Sequence, residues 1–260
     1  MASSDGSASM TDLISVSIVS HQQMHLVKHL IFDLQAHCAA EHVEIILTRN
    51  MSETLDFNPG KLALPIRIVD NPFPKGYGAN HNAAFKISTG NYFCVLNPDI
   101  RLKENPFPVL IALAQKSGVG VVAPRIVNTA GLREDSARRF PTPFELLRKA
   151  LGGKSEVVTD AADVSAPDWV AGMFMLFPAP VFRAMGGFDE RFFLYYEDVD
   201  LCARLALAGY KRLVCPDVAV VHDARRSSHR RLRYAAMHVR SILRFFFSDV
   251  YRKVRKLPQP

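Results

Sequence analysis

Apolar and polar positions along this chain fall into two alternating rhythms. Leu13 to Val19, LISVSIV, is a short β-branched run suited to a buried strand. After the polar Ser20, His21, Gln22 and Gln23, residues Leu26, Leu30, Ile31 and Leu34 recur at helical spacing, so strand, turn and helix follow one another. HVEIILT, from His42, and LPIRIVD, from Leu64 to Asp70, predict a second and a third strand, with MSETLDFNPG as the loop between them. NYFCVL, Asn91 to Leu96, predicts another buried strand; Val109 to Gln115 reads as helix, and GVGVVAPRIV as a strand ending near Pro124. DWVAGMFMLF, Asp168 to Phe177, predicts one further strand, LCARLALAGY a helix, and YKRLVCP and VAVVHDARRSSH two strand-like runs. Strands alternating with helices predict an α/β domain.

One stretch departs from both rhythms. In GGFDERFFLYYEDVD, Gly186 and Gly187 mark a tight turn, and Phe188, Phe192, Phe193, Tyr195 and Tyr196 bring aromatic surface up to Glu197, Asp198 and Asp200. Carboxylates beside an aromatic wall predict a partly dehydrated site, where a carboxyl pKa is raised towards that of a working base. The same acids also suit the first turn of a helix, where they complement its dipole; the two readings are compatible.

Other candidates are read with their plainer alternatives beside them. Pro72, Pro74, Gly76 and Gly78 form a turn leading into a helix, which either offers backbone N–H groups to a phosphate or is a loop capped by Asn80 or Asn82. Asn97, Pro98 and Asp99 follow an apolar strand, a place for a metal-binding acid or for a proline-stiffened Asx turn. His222 ends a strand in the same way, which on these grounds alone is a bare polar end. His21, His25 and His29 share helical spacing without an acid among them and read as a solvated flank. Arg138 and Arg139 stand in a basic, loop-rich stretch from Asn128 to Asp163, a substrate loop or a solvated excursion. Trp169, the only tryptophan, stands beside the acids or in the core.

Composition narrows the class. The 260 residues are 48% hydrophobic and 22% charged, enough for one large globular domain. Cys38, Cys94, Cys202 and Cys215 form no CxxC pair, which predicts neither a zinc knuckle nor a disulfide framework and fits a reducing cytosol. MASSDGSASMTD, residues 1–12, reads as a flexible start without a signal region, and no apolar run reaches the length of a membrane span. Net charge is +7, but eleven Lys or Arg against the single acid Asp249 lie between Arg225 and Lys256, so that segment carries +10 and the remainder −3. Residues 225–260 mix these cations with Tyr234, Met237, Ile242, Leu243, Phe245, Phe246, Phe247 and Val250, predicting a basic amphipathic helix that meets an anionic membrane surface or packs on the domain. Charge confined to one end, with no recognisable nucleic-acid module, speaks against a nucleic-acid partner.

G-Y-G-A-N-H-N, the NPD strand end, W-V-A-G, GGFDERFFLYYEDVDLCARL and the VVH strand end stand in an order and spacing that resemble the inverting glycosyltransferases of family 2. SARRFPTPFELL together with FDERFFLYYEDVDL is similar to the bacterial rhamnosyltransferase branch. The resemblance covers about Leu13 to Ser228. It implies a GT-A fold over 13–224, a Rossmann-like nucleotide-sugar-binding mixed sheet flanked by helices. It also implies Asp198 as catalytic base with Glu197 and Asp200 in support, and Asp99 and His222 as ligands of Mg²⁺ or Mn²⁺ on the donor diphosphate. Trp169 and Gly172 match residues of the sugar pocket, and Gly76, Gly78, Asn80 and Asn97 fall in the donor-binding segments. Two positions depart: Arg49 stands where an acid binds the nucleotide base, and Ser20-His21 where the family has an aromatic-Asn pair. The implied donor is dTDP-L-rhamnose, with a UDP-hexose or a catalytically silent sugar-nucleotide binder as alternatives. The implied acceptor is a glycan or polyprenyl-diphosphate-linked glycan, met at the cytoplasmic face of the membrane.

Overall fold

The computed structural model describes residues 12–39, 42–150, 164–223 and 231–257. Its elements run β1 (Ile14–Ser20), α1 (Met24–Cys38), β2 (Val43–Arg49), β3 (Ile66–Asp70), α2 (Tyr77–Ile87), β4 (Tyr92–Leu96), β5 (Ile100–Arg101) and α3 (Phe107–Ala114). Then follow β6 (Val119–Asn128), β7 (Ala137–Arg138), α4 (Pro143–Ala150), β8 (Trp169–Val170), β9 (Phe174–Pro178), α5 (Ala179–Ala184), α6 (Glu197–Leu207), β10 (Lys211–His222), α7 (Arg231–Phe246) and α8 (Asp249–Val254). The expected flexible start, residues 1–12, lies outside the described residues except for Asp12, as do 151–163 of the basic stretch and 225–230 and 258–260 of the tail.

Eight strands make one mixed sheet in the order β3-β2-β1-β4-β9-β6-β10-β5. β1 pairs in parallel with β2 and β4, and β2 with β3; β9 is inserted antiparallel between β4 and β6, and β10 runs parallel to β6. Helices α1 and α3 cover one face, burying Val27, Leu30, Ile31, Leu34, Phe107 and Leu110 against Ile14, Val16, Ile18 and Phe174. The other face receives Ala84 of α2, Phe182 of α5 and Leu201, Cys202 and Leu205 of α6 against Phe93, Met175 and Phe177. Because both faces are covered, β1 and β4 are buried at every position, which is why they read as continuous runs. The serines of β1 are accommodated by partners: Ser15 Oγ donates to Glu44 Oε1 at 2.6 Å and Ser17 Oγ lies 2.8 Å from His81 Nδ1.

Several predicted boundaries move for physical reasons. β6 passes through Pro124 to Asn128 because its only pairing with β9 is at Val122, so the missing N–H of Pro124 breaks no ladder on that side. The expected strand 168–177 is interrupted at Ala171–Met173, where Gly172 turns its backbone towards other elements. YKRLVCP and VAVVH join into β10, kinked by a register shift between Cys215 and Ala219 around Pro216. Asn80 and Asn82 do not cap α2; its N-cap is Gly76, and both asparagines are buried inside the helix. The described part of the tail is two helices rather than one, parted at Phe247 and Ser248, with Ser248 Oγ capping the Tyr251 N–H of α8. A third cluster packs these helices on α6: Phe245, Tyr251 and Val254 close over Phe192, Tyr196, Val199 and Ala203.

Candidate active site

The carboxyl ends of β1 to β4, and that of β10, stop along one edge of the sheet, with the strand order reversing between β1 and β4. In an open α/β sheet this edge holds the ligand crevice. Asp99 and His222 form one group there and Asp198, Glu197 and Gly172 another, and one tyrosine ties the groups together.

The first group follows β4 and β10. His222 Nε2 lies 3.2 Å from Asp99 Oδ2, and His222 Nδ1 lies 2.6 Å from Glu134 Oε2. The bond to Asp99, and with it that to Glu134, lifts the imidazole to about 9 against the opposing effect of burial. Asp99 Oδ1 is buried and has no hydrogen-bond partner. A buried carboxylate oxygen left unsatisfied beside an imidazole is a donor set that suits a hard or borderline divalent ion, so Asp99 and His222 fit Mg²⁺ or Mn²⁺. Among the described residues no cluster of three or more His, Cys, Asp or Glu side chains could hold a metal unaided, so ligand or water oxygens must complete the shell. Glu134 was not expected from the sequence. It reaches His222 because Val127 bridges Arg133 and Glu134 N–H donates to Ile126 O, a hairpin that local pattern does not reveal.

The second group surrounds the start of α6. Asp198 Oδ2 accepts from the Gly172 N–H at 3.0 Å and Oδ1 from the Val199 N–H at 2.8 Å. Burial pushes the Asp198 carboxyl up, and those backbone N–H groups oppose the shift. Burial, followed by the charge of Asp198, pushes Glu197 well above the usual carboxylate range, and its Oε2 is buried without a partner. Of the two, Asp198 carries the charge, because the N–H groups solvate it and Glu197 lacks an equivalent pair. Asp200 belongs to a different arrangement: it accepts from Arg204 Nε at 2.8 Å, while Arg204 also donates to the carbonyls of Met185 and Gly187. That clasp holds α6 to the glycine turn, where Gly186 and Gly187 have φ of 71° and 72°.

The aromatic wall is half buried. Phe188, Phe192 and Tyr196 are interior, whereas Phe193 and Tyr195 are exposed. Tyr195 and Tyr196 both adopt left-handed backbone, φ 69° and 66°, directly before the acids. Each such non-glycine residue costs about 1–3 kcal/mol, offset here by the packing of Tyr196 against Phe245 and of both rings against His238.

Tyr77 joins the groups. Its hydroxyl lies 2.5 Å from Gly172 O and 2.9 Å from Asn97 Oδ1. Burial, then the nearby Glu197, Asp198 and Asp99, hold its proton on well above the usual phenol range. A continuous chain of contacts therefore runs from Asp198 through Gly172, Tyr77 and Asn97 to the loop bearing Asp99. Tyr77 lies between Gly76 and Gly78 of the predicted turn, where the glycines, prolines and asparagines carry the local signal and a tyrosine carries none.

The glycines act by close approach. A Cβ on Gly76 would lie 2.9 Å from Phe193 Cα, and one on Gly78 2.6 Å from Phe188 Cβ. The first N–H of α2, that of Tyr77, already donates to Phe193 O, so the turn closes on the 188–196 segment. Asn80 Oδ1 accepts from Asn71, which also donates to Asn50; Asn50 in turn holds the Lys75 backbone through both ends of its amide. His21 Nδ1 lies 3.3 Å from Asn50 Nδ2, and Ser20 Oγ accepts from Gln23 N–H. Arg49 forms a two-pronged pair with Asp70 and donates to Glu53 O. Trp169, partly exposed, donates to Arg139 O and lies 5.6 Å under the Arg138 guanidinium.

The model of the Glycosyl transferase family 2 domain matches residues 15–177, more than half of the chain. The chain is a family 2 glycosyltransferase. This glycosyltransferase is 26% identical over 246 residues to the rhamnosyltransferase WbbL of Escherichia coli K12, covering 90% of this chain and 92% of that one. It is 30% identical over 157 residues to the N-acetylglucosaminyl-diphospho-decaprenol L-rhamnosyltransferase of Mycobacterium tuberculosis H37Rv, covering 54% of this chain and 49% of that one. Among solved structures, GalNAc-T7 with UDP, GalNAc and Mn²⁺ superposes at a TM-score of 0.65 with 16% identity, over 84% of this chain and 44% of that one. The fold is thus GT-A, as the sequence motifs implied.

Proposed function

We propose that this glycosyltransferase moves L-rhamnose from dTDP-L-rhamnose, with inversion, onto a polyprenyl-diphosphate-linked glycan during assembly of a bacterial surface polysaccharide. The observation that supports this chemistry is the contact chain from Asp198 to Asp99, which links a desolvated carboxylate to an acid–imidazole pair whose Asp99 Oδ1 has no hydrogen-bond partner. The acceptor hydroxyl attacks the anomeric carbon; Asp198 takes its proton as the new C–O bond forms and the bond to the diphosphate breaks on the opposite face. Asp99 and His222 would hold a divalent cation, which when bound neutralises charge on the leaving diphosphate. Gly172 N–H aims Asp198, Glu197 stays neutral beside it, and Tyr77 keeps the Gly172 and Asn97 segments in register. The donor assignment draws on the two rhamnosyltransferase relatives.

The test is donor binding and turnover across dTDP-rhamnose, UDP-glucose, UDP-galactose and UDP-N-acetylglucosamine, with Mg²⁺ or Mn²⁺ and with chelator. Metal-dependent preference for dTDP-rhamnose is expected. Preference for a UDP-hexose would replace the donor while leaving the chemistry, and absence of binding to all four would make the chain a silent member of the fold.

A further inference from the structure

The solvent side of α7 is unusual for a helix that packs on a domain. Its inner side buries Phe245 and Ser241, the latter donating to Leu194 O at 2.8 Å. Its outer side, which should be polar, carries Val239 and Leu243, exposed by 54% and 51%, and Phe247 just past its end is exposed by 82%. Their four-residue spacing puts them on one stripe, with Arg240 beside it. Phe247 stands at the corner where α7 meets α8, and α8 with its C-terminal turn adds the exposed Arg252, Lys253, Arg255 and Lys256. Asp249, against Arg252, is the only acid of α7 and α8.

An apolar stripe with Arg240 beside it, followed by the exposed cations of α8 and with Asp249 as the only acid of the two helices, matches an anionic bilayer: apolar groups enter the acyl boundary while cations meet the headgroups. A second copy of this chain would set like charges against each other, and a nucleic acid would have no use for Phe247. We propose that α7 and α8 dock this enzyme on an anionic phospholipid surface, with Val239, Leu243 and Phe247 inserted and the α8 cations at the headgroups. α7 also touches the segment that leads to the site. His238, next to Val239, packs against the rings of Tyr195 and Tyr196 at 5.0 and 5.7 Å, and Ser241 holds the carbonyl of Leu194. Docking therefore bears on the segment that precedes Asp198, in which Phe193 and Tyr195 are themselves exposed and Tyr195 touches α7 through His238.

The experiment is co-sedimentation of the full chain with vesicles of phosphatidylglycerol and phosphatidylcholine, against phosphatidylcholine alone, at low and high salt. It needs no sugar nucleotide, so its outcome and that of the donor test are independent. The wild type is expected to bind the anionic vesicles and to lose binding as salt screens the cations. Lys253→Gln with Lys256→Gln should lower partitioning roughly 30-fold, and Leu243→Gln with Phe247→Ser at least about tenfold, with unchanged thermal melting because these side chains are exposed. Absence of vesicle binding, or binding indifferent to the Leu243 and Phe247 changes, would overturn the proposal. So would a wild-type dimer made monomeric by those changes, which would mark a self-association face, or tighter binding to duplex DNA than to vesicles.

Discussion

At the scale of single residues, the site depends on how few donors attend each buried acid. Asp198→Asn removes the proposed proton acceptor but keeps the shape and one acceptor oxygen for the Gly172 N–H. Turnover should fall about 10²- to 10⁴-fold while donor binding, read by calorimetry, is retained; near-normal turnover would remove Asp198 from the role of base. Glu134→Gln tests the one residue of the proposed metal side that the sequence concealed. The carboxylate orients His222 from behind, so its loss should weaken Mn²⁺ binding roughly 10- to 100-fold, as read by electron paramagnetic resonance without donor. His81 makes a separate prediction. Burial lowers its imidazole from 6.5 to about 3, and Nε2 has no partner. The unfolded chain takes up this proton more readily than the native one, so the stability is present above pH 6.5 and is lost as pH falls from there towards 3. Between pH 6.5 and 5 the native state should lose about 2 kcal/mol through this group, a loss absent in His81→Asn; urea unfolding at both pH values would show whether the difference exists.

At the scale of elements, the start of α2 and the segment before α6 are built against each other. Gly76→Ala would place a Cβ 2.9 Å from the Phe193 backbone, which cannot swing aside as a side-chain tip could. It should cost about 1–3 kcal/mol and reduce turnover more than donor affinity, since the displacement falls on the segment leading to Asp198; equal effects on both would show that the α2 turn serves the donor instead. The elements themselves were largely legible in the sequence. β1, β4 and α1 announced themselves by apolar period, and the acids from Glu197 did begin a helix. Pro124 and Gly172 misled because a proline suggests a strand end and a glycine between apolar residues suggests flexible strand. Which backbone groups those residues leave unpaired depends on neighbours distant in sequence.

For the whole molecule, the tail is part of the fold. Phe245 is fully buried among Phe192, Tyr196, Tyr251 and Val254, so Phe245→Ala should destabilise by about 3–5 kcal/mol, measured by chemical denaturation, and should also depress activity because α6 loses its outer support. The sequence by itself determined the alternation that makes an α/β sheet, the strand ends that bear Asp99 and His222, the acidic helix start at Asp198 and the concentration of positive charge beyond Arg225. Those are properties of neighbours along the chain, where period, breakers and charge act directly. Only the tertiary structure decided that Tyr77 joins the two halves of the site, that Glu134 stands behind His222, that Asp200 serves Arg204, and that Val239, Leu243 and Phe247 face outward. Apart from the i, i+4 pair of Asp200 and Arg204, each of these rests on contacts between residues separated by tens of positions, and a side chain's direction across such a contact is set by packing that no local pattern encodes.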